Sequence, residues 1–296
     1  MSRALGALAV VSVVASMLGG CGRPAHAQDP APAVLDALTL EMITDSGSYP
    51  DRSHRVEEVE VELTRQCMRA AGFAWQGSAS EANPDAKDGF GASVDYLRRH
   101  GYGLSDDPNT AEPGTSDAAD GQGALREALL GPDSAMGSVR SSTGMVFQYP
   151  LKGCGAKAYI ALYGDLATWA QMYFLPQAID MQLSRAARTD QRFLAKEAQW
   201  STCMGGRHSS TETLVAGLRA AYRTDQRPLA QRRAAEVKLA LEDRSCDKRV
   251  GLSATNLTIR RELARKLSAP DRAEMSRLAA RFPDVEARGT AGSGTT

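Results

Sequence analysis

The sequence predicts a mainly α-helical fold, an irregular helical bundle stapled by two disulfides, and three observations predict it. Apolar residues recur at helical spacing from about residue 53 onward, helix-start and helix-stop residues punctuate those stretches, and four cysteines remain once an N-terminal export segment is set aside. A chain of 296 residues with 43% hydrophobic and 24% charged residues can bury an apolar core without help and is neither collagen-like, coiled-coil nor wholly disordered. With 35 Lys+Arg against 35 Asp+Glu it also lacks the net positive charge that a dedicated nucleic-acid binder needs to displace counterions from phosphates. Arginine far outnumbers lysine, which fits the codon usage of a GC-rich genome better than Arg-mediated recognition.

Residues 1–20 read as a signal peptide. Arg3 supplies the positive start, and Ala4 to Leu18 form an apolar run too short for a spanning helix, which needs roughly 20 apolar residues. Leu18-Gly19-Gly20-Cys21 resembles the bacterial lipobox, in which the cysteine thiol receives a diacylglycerol and the chain is cut just before it. Cys21 is therefore the expected lipidation site. Ala25-His26-Ala27 is a rival A-x-A site, whose cleavage would give a freely secreted protein beginning at Gln28. Residues 21–50 are expected to be a Pro/Ala tether, centred on 22–33, and a short helix.

A folded domain is expected over 51–282. Val56, Val59, Leu63 and Cys67 form one stripe of a helix over about 53–71, with Glu57, Glu58 and Glu62 away from it, and Gly72 suits a left-handed cap. A short helix through Val94, Tyr96 and Leu97 follows, and residues 105–123 read as a mobile surface loop. Met145 to Pro150 reads as one strand. Further helices are predicted over Ala156–Tyr163, after the Gly164-Asp165 cap with Leu166, Trp169 and Tyr173, and from Pro176 as a first-turn proline. Phe193, Leu194 and Trp200 mark the helix carrying Cys203, and Ser209 with Glu212 makes a capping box before Leu214. Pro228 opens a helix reaching Cys246, and two more cover about 254–267 and 269–281. Residues 283–296 are expected to be a disordered tail.

The cysteines are Cys21, Cys67, Cys154, Cys203 and Cys246. Acylation or removal of Cys21 leaves an even number, which in an oxidising compartment reads as two disulfides with three possible connectivities. Zinc is disfavoured because no two cysteines lie two to four residues apart, and none but Cys203, near His208, has a histidine close by. Cys67-Met68 and Cys203-Met204 each end an amphipathic stretch ahead of a helix-stopping glycine, and each is followed by one further cysteine. The pattern reads as a degenerate internal duplication and favours Cys67–Cys154 and Cys203–Cys246. These cysteine flanks, with Gly153-Cys154, Trp200-x-x-Cys203-Met204 and Asp243-x-x-Cys246 behind the lipobox, resemble uncharacterised secreted lipoproteins of high-GC Gram-positive bacteria with Cys-Met-x-x-x-Gly motifs. The resemblance spans about residues 55–252 and implies location and stapling, with no catalytic residues to carry over.

Charge is unevenly placed: residues 22–180 carry a net −10 and residues 181–296 a net +9. Either the two halves dock on one another, or an Arg face around Arg219, Arg223, Arg232, Arg233, Arg260 and Arg261 meets anionic lipid or cell-wall polymer. The motifs G-x-S-x-G, P-loop, G-x-G-x-x-G and H-E-x-x-H are absent from the sequence. Ser245-Cys246-Asp247-Lys248 matches S-x-x-K only formally, since its second residue is a disulfide candidate. His100 and His208 read as solvated, Glu57, Glu58, Glu60 and Glu62 as a solvated acidic face, and Trp75, Trp169 and Trp200 as core residues rather than stacking platforms. The sequence thus predicts an exported, lipid-anchored cell-envelope protein on the outer face of the membrane, binding or structural rather than catalytic, with no cofactor and no metal. An envelope-acting hydrolase with scattered catalytic residues is the alternative, and the sequence does not specify an oligomeric state.

Overall fold

The computed structural model describes residues 34–105 and 119–292. Cys21 and its lipobox, the 22–33 tether and most of the 105–123 stretch lie outside the described residues. The described chain is mainly helical. It runs through α1 (Ala37–Thr44), α2 (Tyr49–Ala70), a 3-10 turn at Ala86–Asp88, α3 (Val94–His100), α4 (Ala119–Leu130), β1 (Met136–Arg140) and β2 (Val146–Pro150), then α5 (Gly153–Tyr163), α6 (Leu166–Ala187), α7 (Gln191–Cys203), α8 (Thr211–Tyr222), α9 (Leu229–Val250), α10 (Leu252–Ala264) and α11 (Ala269–Gly292).

Local chemistry sets most of the boundaries. Asp36, Ser93, Asp165 and Asp190 each accept a backbone N–H of the first turn of α1, α3, α6 and α7, satisfying a donor that the helix leaves free. The capping box of α8 is formed by Ser210 and Thr213, one residue later than the predicted Ser209–Glu212 pair, because Ser210 has the extended backbone that an N-cap needs. α2 ends as predicted. Gly72 lies at φ +86°, its N–H bonds Arg69 O at 3.0 Å and Phe73 N–H bonds Met68 O at 2.9 Å, which together make a Schellman cap. α7 ends in the same way, with Gly205 N–H on Thr202 O and Gly206 N–H on Ser201 O. The two Cys-Met helices share this cap but not its register: Cys67 lies within the last helical turn, five residues before its capping glycine, and Cys203 two residues before Gly205.

Two apolar clusters organise the fold. The first packs α1, α2, α5, α6 and α11 around Met42, Ile43, Trp169, Ile179, Leu278 and Phe282. The second gathers α7 to α10 around Trp200, Met204, Leu214, Leu252 and Ile259, and Leu263 of α10 touches both. The predicted strand is β2. Its antiparallel partner β1, with Met136 opposite Pro150 and Arg140 opposite Val146, was not legible in the sequence. A lone hairpin is marginal in water; this one turns Tyr149 and Val139 onto the first cluster.

Four boundaries differ from expectation. Pro176 does not start a helix but sits inside α6, since the apolar stripe Trp169, Met172, Leu175, Ile179, Leu183 continues across it without a break. That burial offsets the roughly 3 kcal/mol an interior proline costs. The expected disordered tail is helical as far as Gly292: Val285 is buried, Glu286 pairs with Arg52, and Arg288 donates to Leu162 O at 2.7 Å. The short helix expected before residue 51 is α1, but it belongs to the folded body, because it buries Leu40, Met42 and Ile43 in the first cluster. Residues 119–123, placed in the surface loop, open α4.

Candidate binding surface and buried polar sites

Both expected disulfides are formed. Cys67 of α2 bridges Cys154 of α5 with Cα atoms 5.5 Å apart, and Cys203 of α7 bridges Cys246 of α9 at 5.7 Å. Each therefore ties together two helices of one apolar cluster. Two closed disulfides, and the absence among the described residues of any helix long and apolar enough to cross a membrane, are consistent with an extracytoplasmic protein.

The six arginines proposed as one exposed face are not on one face. Arg260 is 8% exposed, donates to Thr44 O at 3.2 Å and pairs with Asp180, so it bolts α10 to α1 and α6. Arg261 donates to Ser46 Oγ at 2.9 Å, and Arg232 lies half-buried over the Tyr222 ring. Arg219 and Arg223 remain exposed on α8. The docking of oppositely charged halves appears at Asp180–Arg260 and at Asp85–Arg244, the latter 2.8 Å with Arg244 also over the Phe90 ring.

Three carboxylates, one buried and two half-buried, form sites that the sequence does not mark. Glu236 of α9 is fully buried and accepts the backbone N–H groups of Leu104 and Ser105, both at 2.8 Å. About two helical turns along α9, Asp243 accepts from Trp200 Nε1 at 2.8 Å and Tyr102 Oη at 2.7 Å; burial raises its pKa against the pull of those two donors. Glu60 of α2 was expected on a solvated acidic face, yet it accepts from Tyr163 Oη at 2.8 Å, and burial pushes it up to about 7. Burial likewise pushes the neighbouring Tyr159 up to about 12. These carboxylates hold hydroxyls, an indole and backbone amides of other segments, and each acts as a structural clamp. Their partners lie tens to more than a hundred residues away, so no local spacing marks them.

Of the tryptophans, Trp200 and Trp169 are buried and Trp75 is half-buried. Trp169 lies between the Tyr159 ring, stacked at 3.8 Å, and the Tyr173 ring at 5.7 Å. His100 is partly exposed beside Glu81 at 3.3 Å. Ser245 and Lys248 are both exposed on α9, and neither has a protein partner among the described residues.

The site with the richest open chemistry is an extended segment laid on α2. After the Schellman cap the chain turns back along the helix, and from Phe73 to Ser80 half-buried and exposed residues alternate with period two, as in a strand. Arg65 donates to Gly77 O at 2.9 Å, and Glu57 receives both Ser80 N–H at 2.9 Å and Ser80 Oγ at 2.6 Å. Trp75 folds over Gly77 so closely that a Cβ there would lie 1.9 Å from its ring. Between this strap and α2 lies an open depression of about 380 Å³ lined by His54, Glu58, Val61, Glu62, Arg65, Ser78, Ala79, Ser80 and Ala82. Ser80 and His54 line it and Glu57 stands beside both, but not as a nucleophile relay. The Ser80 hydroxyl donates to Glu57, whereas His54 Nδ1 stands 3.9 Å from that same carboxylate. In a relay the imidazole stands between serine and carboxylate; here the carboxylate stands between them. No group of three or more His, Cys, Asp and Glu side chains among the described residues is placed to hold a metal ion.

Comparison with protein-family models, curated proteins and solved structures finds no match.

Proposed function

We propose that the chain is exported, held at the outer face of the membrane by a lipid on Cys21, and folded into a noncatalytic binding or envelope-structural body. The observation that carries this reading is the pair of closed disulfides, each tying together distant segments of chain, since such bridges persist in oxidising compartments and are rare where thiols are kept reduced. The lipobox-like Leu18-Gly19-Gly20-Cys21 and the resemblance to secreted lipoproteins support the anchor. Two acyl chains on one cysteine give stable membrane binding where a single chain gives only a reversible one. The noncatalytic part is supported by the arrangement of Ser80, Glu57 and His54, and by carboxylates that clamp rather than converge on a cleft.

The test is to express the chain in its bacterial host with a clickable fatty acid and fractionate the cells. The wild-type protein is expected in the membrane with the label on Cys21, and Cys21→Ala is expected to lose the label and the membrane association together. A wild-type protein found unlabelled in the medium and beginning at Gln28 would replace the anchor by free secretion. An unprocessed protein in the cytosol would overturn the proposal.

A further inference from the structure

We infer that the strap over residues 73–82 is an acceptor for an extended, basic peptide, which adds to it as a strand and lays its cationic side chains in the acidic depression against α2. Three observations on this chain carry the inference. The strap has strand-like alternation, yet it belongs to no sheet. Only Gly77 O and Ser80 N–H are bonded within the protein; every other backbone N–H and carbonyl from Ala74 to Ala82 is without a protein partner among the described residues. An extended run of free donors and acceptors is the template that strand addition uses, main-chain bonds giving affinity and alternate side chains giving choice of partner.

Such edges are ordinarily blunted by charged side chains, proline or a covering element. From Ala74 to Ser80 there is no charged residue and no proline; Glu81, paired with Arg99 and His100, and Pro84 come only at its end. The strap is also held against α2 before any partner arrives, by Arg65 at its middle and Glu57 near its end. Less ordering is then required on binding than for a free loop.

Charge selects the occupant. Glu58 points into the depression 59% exposed, with only His54 beside it at 3.6 Å. Glu62 is shared by Arg65 and Arg69, which leaves Glu58 as the lining carboxylate with no arginine beside it. A peptide with Lys or Arg at alternate positions places cations on that side while its other face stays free. The inference rests on the reading of the body as a binding module, and it does not depend on the anchor at Cys21.

The experiment titrates the native, disulfide-closed protein into a fluorescein-labelled peptide of alternating Lys and Val, followed by anisotropy. Saturable binding is expected. Methylating the backbone nitrogens of alternate residues, on either register, is expected to weaken binding at least tenfold on the register that faces the strap. Replacing Lys by Glu is expected to abolish it. Glu58→Gln, a change at the surface that leaves the fold intact, is expected to weaken it about threefold, the size of an exposed ion pair, and added salt to erase that difference. Absence of saturable binding overturns the inference, and so does equal affinity for both methylated registers and the parent peptide. Either failure leaves the location of the chain, which is read by acyl label and fractionation, untouched.

Discussion

The two apolar clusters solve the same problem with different materials. The first is large and carries most of the aromatic rings, with Trp169 stacked between Tyr159 and Tyr173 and edge-on to Tyr149 and Phe174. The second has eight buried members and is bolted by polar contacts: Glu236 holds the chain at Leu104 and Ser105, and Asp243 holds Trp200 and Tyr102. A small core buries too little apolar surface to fix its neighbours by area alone, so directed bonds take over that role. Each cluster nevertheless receives one disulfide. The difference teaches that a tryptophan at the centre of each region serves two purposes, as a ring among rings in one and as a hydrogen-bond donor in the other.

The largest expected effects come from the staples. In the chain-entropy account, replacing Cys203 and Cys246 together by Ala costs about 4 kcal/mol, and replacing Cys67 and Cys154 about 4.6 kcal/mol. The loop spans, 43 and 87 residues, differ twofold, yet the expected difference is only about 0.6 kcal/mol. Urea melts of the two double variants measure it. A difference of several kcal/mol would show that one cluster leans on its staple far more than the other.

The tryptophans come next. Trp200→Phe keeps the ring and removes the indole N–H, leaving the buried Asp243 one donor short, at a cost of about 1–3 kcal/mol. Trp169→Phe removes part of a stack and no hydrogen bond that the protein makes, so about 1 kcal/mol is expected. Equal losses in denaturant melts would erase the distinction between the regions.

A third effect belongs to the first cluster and is read by pH. Burial raises Glu60 from its ordinary 4.5 to about 7, so the unfolded chain releases this proton first. Its contribution to stability is therefore complete below about 4.5 and is lost as pH rises toward 7. Glu60→Gln, which still accepts from Tyr163, is expected to flatten that slope and to raise stability above pH 7 by about 1–3 kcal/mol. A thermal-melt series with the slope unchanged would contradict the burial of this carboxylate. Smallest of all, Arg219→Ala and Arg223→Ala, both exposed on α8, are expected to shift stability by less than about 0.5 kcal/mol.

What the sequence revealed and concealed divides by range. The α2 stripe, the glycine caps after both Cys-Met pairs, the helix opened by Pro228 and the strand at 146–150 are legible because each is decided by residues within a turn or two. Pro176 misled because a proline suits the first turn of a helix, and the tail misled because its glycines and threonines are poor helix formers, while the stripes that carry α6 and α11 past those points are satisfied by packing against other helices. β1 was hidden because Met-Gly-Ser-Val-Arg has one β-branched residue and becomes a strand only beside β2. The strap was hidden because its grip on α2 joins Glu57 to Ser80 across 23 residues of sequence, and the Arg face was overread because nothing in sequence says that Arg260 meets Asp180 and Thr44 in the interior.

The account stands most directly on the state of the four sulfurs in the native protein. Cells are lysed into an alkylating agent that blocks free thiols, and the unreduced protein is digested and mapped by mass. The expected result is two linked peptide pairs, one holding Cys67 with Cys154 and the other Cys203 with Cys246, with no alkylated cysteine among the four. Alkylated thiols at these positions, or pairs joined in another order, would contradict it.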